Sequence, residues 1–281
     1  MILKQDYPSA DEAWNTLILE VIASGKTVYP RGLECKEILA YTSSLDMNYP
    51  IVTIRPKLGY KFMAAEAWWI LSGRNDVASI VPYSKKIAEF SNDGIRFDGA
   101  YGPMIVDQLR YVVDTLHLDP HTRQAVAGIW RPNPRPSKDF PCTLSAQWMI
   151  REDGCNIPRL HCFDTMRSSD SWLGIPYDWF NFTMLSAYIA IALRHRQAMV
   201  GNKPNIQLGA LHLTAASQHL YMQNVEGAKI TMANGVMYKQ YKSLQLENFN
   251  HPEELIDFLS LCKDGMQGDG AFMSEFKEPK C

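Results

Sequence analysis

The chain has 281 residues, 46% of them hydrophobic, and a formal net charge of −2. This composition supplies a sizeable core and lacks the basic excess of a nucleic-acid binder, so no nucleic-acid partner is expected. Nor does any apolar run reach the length needed to cross a membrane.

The six cysteines, at 35, 142, 155, 162, 262 and 281, form no CxxC pair. Neither a zinc site nor a disulfide framework is expected. The opening MILKQDYPSADEAW is acidic and has no apolar signal core, so the expected compartment is a reducing cytoplasm, where a free thiolate survives.

In chain order, Ser9-Ala10-Asp11-Glu12 opens a helix that runs toward Gly25. Arg31-Gly32 then forms a loop, and its arginine is either a plain surface residue or one that closes over an anion. KEILAYTSSLDMNYPIVTI is strand material ending at Arg55-Pro56. KFMAAEAWWILSGRND is rich in helix formers and places Glu66 inside an apolar helix. Periodicity favours the wet face for Glu66; the alternative is a buried carboxyl with a raised pKa. VASIVPYSKKIAEF predicts a second helix, and MIVDQLRYVVDTLHLD an amphipathic one. Ala100-Tyr101-Gly102-Pro103 marks a turn between them.

The segment from His121 to Trp130 starts polar, with Arg123, and becomes a β-type run. The proline-rich 131–136 stretch is a loop. CTLSAQWMIRED and RLHCFDTMRSS predict paired strands around Asp153-Gly154. WFNFTMLSAYIAIALRH is apolar nearly all round and predicts the central buried helix. In IQLGALHLTAASQHLYMQNVEG, His219 and Tyr221 are two apart and share a strand face. Residues 229–281 carry only weak signals. With no repeat and no linker, one α/β domain over 1–281 is expected.

Cys142 follows Pro141 and enters a strand. It is either an inert buried cysteine or a nucleophile, and only the thiolate reacts. Arg167 and Ser168 form a compact anion site, since arginine binds phosphate in bidentate fashion, and a nearby arginine also favours the thiolate.

These motifs resemble the thymidylate synthase family. Phe140-Pro141-Cys142 is similar to its nucleophile motif, Arg167-Ser168-Ser169-Asp170 to its phosphate motif, and Leu173-Gly174-Ile175-Pro176-Tyr177 to its following turn. AEAWWILSGRND resembles its glutamate helix; Tyr101-Gly102, the Arg123–Trp130 segment and His219-Leu220-Tyr221 also match, in the family's order. The resemblance implies an α/β (α+β) three-layer sandwich, with a large β-sheet at the interface of a homodimer. It also implies that Cys142 attacks C6 of a pyrimidine nucleoside monophosphate, whose C5 then attacks the methylene of 5,10-methylenetetrahydrofolate. Glu66 would relay protons at base and folate. Arg31, Arg167 and Ser168 would hold the phosphate, joined by Arg123 from the partner subunit. The Asp170 backbone would meet the base and its side chain the pterin, with Gly174 and Tyr101 also at the folate. His219 and Tyr221 would hold the sugar hydroxyl.

Departures from the family pattern refine this expectation. Uracil-reading members have asparagine where this chain has Asp178, and the aspartate is a mark of the family's cytidylate hydroxymethylases. A carboxyl group accepts from N4–H2 of cytosine and, when protonated, donates to N3. The chain also lacks a tryptophan between 70 and 129, where the family shields the exocyclic methylene; the equivalent segment VPYSKKIAEFSNDG offers only Tyr83 and Phe90, so water would enter and give a hydroxymethyl product. Gln124 replaces a second phosphate arginine, Thr143 replaces a histidine, and the polar tail lacks the apolar ending that closes over folate. The resulting expectation is a phage-type deoxycytidylate 5-hydroxymethyltransferase. The alternatives are a dCMP methyltransferase, a CMP hydroxymethylase, a thymidylate synthase or dUMP hydroxymethylase, and a silent nucleotide- or RNA-binding relative.

Overall fold

The computed structural model describes residues 7–233 and 245–265. Helix α1 (Ala10–Ser24) starts on a capping box, Ser9 and Glu12 each satisfying the other's backbone N–H. Strands β1 (Lys26–Val28) and β2 (Cys35–Asp46) follow. The strand expected to run on to Arg55 stops at Asp46. Its carboxylate accepts from the Asn48 N–H at 2.8 Å and so closes a turn. Residues 53 and 54 are instead tied to α1, because the Asp11 carboxylate accepts from both backbone N–H groups.

Next come α2 (Tyr60–Leu71), α3 (Val77–Ile80), a 3-10 turn (Lys85–Phe90) and α4 (Gly102–Leu118). The single helix expected over 77–90 is thus two short pieces. Pro82 has no N–H to continue the ladder, and Ser84 is extended at φ −152°. Strands β3 (Val126–Gly128), β4 (Thr143–Glu152), β5 (Pro158–Met166) and β6 (Ser169–Asp170) lead to the long α5 (Ile175–Met199), and then to β7 (Gln207–Tyr221), α6 (Met222–Ala233) and α7 (Pro252–Gly265).

One seven-stranded mixed sheet runs β1-β2-β7-β5-β4-β3, with β6 paired to β7. The β4–β5 hairpin turns at Asp153, whose carboxylate accepts from the Cys155 and Ile157 N–H groups. The β5 and β7 strands are parallel, so α5 serves as their crossover. It is buried on nearly every side, as its uniformly apolar sequence demands. The layers stack on one side of the sheet: α1 and α5 lie on the strands, and α2 packs on α5 and in turn carries α7. The opposite face is polar and half-exposed, with Thr42 and Thr214 hydroxyls 2.9 Å apart and Phe163 stacked on His212 at 4.7 Å. Among the described residues no helix is long and apolar enough to cross a membrane.

Candidate active site

The hairpin register builds the centre of the site. Thr143 pairs with Met166, and a bulge between Thr143 and Ser145 bends the start of β4. The Arg167 N–H donates to the Cys142 carbonyl at 2.8 Å, one step beyond the last pair. Arg167 Nη2 therefore lies 3.8 Å from Cys142 Sγ. Its guanidinium also donates to the Pro141 and Phe140 carbonyls. Tyr101, at the entry to α4, underpins the nucleophile: its hydroxyl accepts from the Cys142 N–H at 3.2 Å and the Thr143 N–H at 3.1 Å.

The expectation that Arg167 would favour the thiolate holds only in direction. Burial pushes the Cys142 thiol up to about 11; Arg167 opposes this, while Asp178, Asp139 and Asp170 add to it. Desolvation of the charged form outweighs one guanidinium that is itself exposed and shared with two carbonyls.

Glu66 is not on the wet face. Its carboxyl turns inward, where Asn181 Nδ2 donates to Oε2 at 2.8 Å. Burial raises its pKa to about 7, against the lowering effect of Asn181. Because α2 is apolar on several faces, periodicity could not place this residue. Asp178, in the first turn of α5, is held well above the usual carboxylate range by burial, then by Glu66 and Asp170. Nearby, Asp164 on β5 is 1% exposed and both its oxygens lack hydrogen-bond partners. Its pKa too is raised well above the usual carboxylate range, by burial and then by Asp178. Asn181 and Asp164 were missed in the sequence; Asn181, set between Phe180 and Phe182, carries the one local signal, a polar group between two aromatic residues.

Asp170 Oδ1 accepts from the Trp172 and Leu173 N–H groups at 2.8 and 2.9 Å, and its carbonyl accepts from the Gly174 N–H. The turn is tight: a Cβ on Gly174 would lie 3.1 Å from the Asp170 carbonyl and from Asp178 Oδ2. With Oδ1 committed, Oδ2 is the oxygen left to accept from a ligand N–H. That matches the amino-pyrimidinone edge of a pterin, so the residues fit a folate.

Pairing of β6 with β7 sets Asp170 opposite His219, and the His219 and Tyr221 rings lie edge to face at 5.1 Å. Arg31 is exposed at φ 53° in the 3-10 turn at Pro30–Gly32, just before β2 meets Tyr221. Ser168 is half-buried. Arg123 is exposed beside Gln147, which donates to its carbonyl well down β4 from Cys142. In its own chain it does not join the cluster. Tyr83 is drawn away toward α7, where its hydroxyl meets Asp264 and Lys263, and Phe90 is half-exposed. Lys263 also covers Trp68, with Nζ 4.2 Å from the ring centroid. The polar tail lies outside the described residues. A cleft of about 470 Å³ between α4 and α5 contains none of these residues.

The thymidylate synthase family model matches residues 12–260, and the chain belongs to that family. Its members transfer a one-carbon unit, using methylenetetrahydrofolate as co-substrate. The chain is 28% identical over 268 residues to a deoxyuridylate hydroxymethyltransferase of Bacillus phage SP01, covering 86% of this chain and 64% of that protein. It is 33% identical over 138 residues to a deoxyuridylate hydroxymethyltransferase of Pseudomonas phage M6, covering 46% and 38%. A thymidylate synthase of Francisella tularensis subsp. holarctica is 21% identical over 262 residues, covering 78% and 88%. The chain thus spans just under two thirds of the length of the SP01 relative.

Proposed function

We propose that this chain is a deoxycytidylate 5-hydroxymethyltransferase using 5,10-methylenetetrahydrofolate. The observation that carries the reading is Asp178, a carboxyl whose pKa burial pushes well above the usual carboxylate range, within electrostatic reach of Cys142 and Glu66. A neutral carboxyl offers one acceptor and one donor, which complements N4–H2 and N3 of cytosine. Uracil would require the proton on the other oxygen, donating to O4 while the carbonyl accepts from N3–H, so the preference for cytosine rests on which oxygen of Asp178 holds the proton; the ionised form meets O4 with an acceptor only.

In this reading the Cys142 thiolate adds to C6 and the electron pair moves to C5, which takes the one-carbon unit from the folate. C5 then loses its proton, tetrahydrofolate departs, and water adds to the exocyclic methylene. Breaking the Sγ–C6 bond restores the aromatic ring and frees 5-hydroxymethyl-dCMP. Glu66, with a pKa of about 7, suits proton traffic in both directions. Arg31, Arg167 and Ser168 take the phosphate, His219 and Tyr221 the sugar hydroxyl, and Asp170 with Gly174 the pterin. Tyr101 holds the Cys142 backbone beside it. The hydrogen bond that ties the Tyr83 hydroxyl to Asp264 on α7 supports entry of water.

The protein acts as a homodimer through the polar sheet face, with Arg123 reaching the partner's phosphate; its position away from its own Cys142 supports this. A second reading, the deoxyuridylate hydroxymethyltransferase, is favoured by the names of two relatives. Mass spectrometry of products from dCMP, CMP and dUMP with the folate decides among these. Hydroxymethylated dCMP is expected; turnover of dUMP alone would overturn the cytosine reading, and a methylated product would overturn water addition.

A further inference from the structure

Helix α5 buries one amide among aromatic neighbours. Asn181 is 5% exposed and stands one helical turn after Asp178, flanked in sequence by Phe180 and Phe182. Its Nδ2 donates to Glu66 Oε2, while its Oδ1 is buried without a partner. Leaving half a buried amide unsatisfied is destabilising. A residue placed only to tie α2 to α5 could be replaced by an apolar contact at no such cost. The conflict with local packing therefore points to a function at this position.

We propose that Asn181 is the positioning residue for Glu66, fixing its carboxyl in one orientation and reserving Oε1 as the oxygen that carries the proton. An oxygen that already accepts an amide N–H keeps its lone pair engaged, so a proton arriving at the carboxyl settles on the other oxygen. The hold acts on Glu66 and not on the nucleotide, so it governs the chemical step more than binding. That Oε1 serves a reacting base rests on the proposed function of Glu66; the hydrogen bond itself does not.

The test is a carboxyl-carbon NMR titration of Glu66, assigned with Glu66→Gln, in the wild type, Asn181→Ala and the isosteric Asn181→Asp. The wild type should titrate near the value of about 7 set by burial and this donor. Removing the donor in Asn181→Ala should move the midpoint upward, and Asn181→Asp should move it further, since a second acid replaces the donor. Both variants should bind nucleotide within about threefold of wild type but lose about 10- to 100-fold in kcat, as expected for a misplaced catalytic group. An unmoved Glu66 midpoint in both variants overturns the proposal. The titration needs no turnover, so a wild type inactive on every pyrimidine nucleotide would refute the enzymatic reading and leave the Asn181 result standing. If the alanine variant fails to fold, the isosteric one decides.

Discussion

Arg167 Nη2 sits 3.8 Å from Cys142 Sγ, yet the thiol is pushed up to about 11. The Cys142 thiol thus keeps its proton near neutral pH, and in the proposed mechanism its reactivity awaits a change in the site. Alkylation by iodoacetamide, followed by peptide mass spectrometry, should be much slower at Cys142 than at exposed Cys155 at pH 7.5. The Cys142 rate should keep climbing through pH 9–11 rather than level off below pH 8. Arg167→Met should slow it about tenfold further by removing the positive charge, while Arg167→Lys should largely restore it. A rate plateau below pH 8 would show that the thiolate is already formed.

Glu66 gives a stability prediction whose sign follows from linkage. Its unfolded carboxyl ionises near 4.5, the folded one near 7. Between these values the unfolded state has released its proton and the folded state has not, so wild-type stability falls as pH rises from about 4.5 to 7. Glu66→Gln cannot ionise and still accepts from Asn181. Urea unfolding should show the variant up to about 3 kcal/mol more stable than wild type at pH 8 and little different at pH 4. Loss of activity alongside this gain would mark the carboxyl as a functional cost carried by the fold.

Tyr101 links α4 to the nucleophile through one oxygen. In Tyr101→Phe the N–H groups of Cys142 and Thr143 lose their acceptor. The expected destabilisation is about 1–3 kcal/mol, with faster amide hydrogen exchange at both positions. Unchanged exchange there would show that the hydroxyl does not hold the backbone.

How far the sequence reached depended on whether local chemistry or packing decided each feature. The Cys142–Arg167 pair was legible because a hairpin turning at Asp153-Gly154 places residues near 142 opposite residues near 167. The burial of α5 was legible because no face of it is polar enough for water. Glu66 was misplaced because α2 packs against α5, α4 and α7, so its periodicity does not name one inner face. The end of β2 was missed because the tether of residues 53 and 54 comes from Asp11, a long-range contact with no trace in local propensity. The upward shift of the Cys142 thiol was missed because charge neighbours can be read from motifs, whereas desolvation requires the packed site.

In the proposed function Asp178 carries the choice of base, and its substitution separates the two substrate readings. Burial, then Glu66 and Asp170, raises its pKa well above the usual carboxylate range. A carboxyl that keeps its proton donates as well as accepts, so dCMP affinity should fall as rising pH ionises it. Asp178→Asn keeps the shape, and the amide can turn so that its N–H2 donates to O4 and its carbonyl accepts from N3–H of uracil. Tritium release from C5 should then drop about 100-fold or more in kcat/KM for dCMP and rise for dUMP, the scale set by leaving buried polar groups unpaired. The same amide could also turn its carbonyl toward N4–H2 and its N–H2 toward N3, so some dCMP activity should persist. Selectivity unchanged by the substitution would remove Asp178 as the base reader, and Cys142→Ala, which should abolish release while sparing binding, guards against mistaking a collapsed site for a switched one.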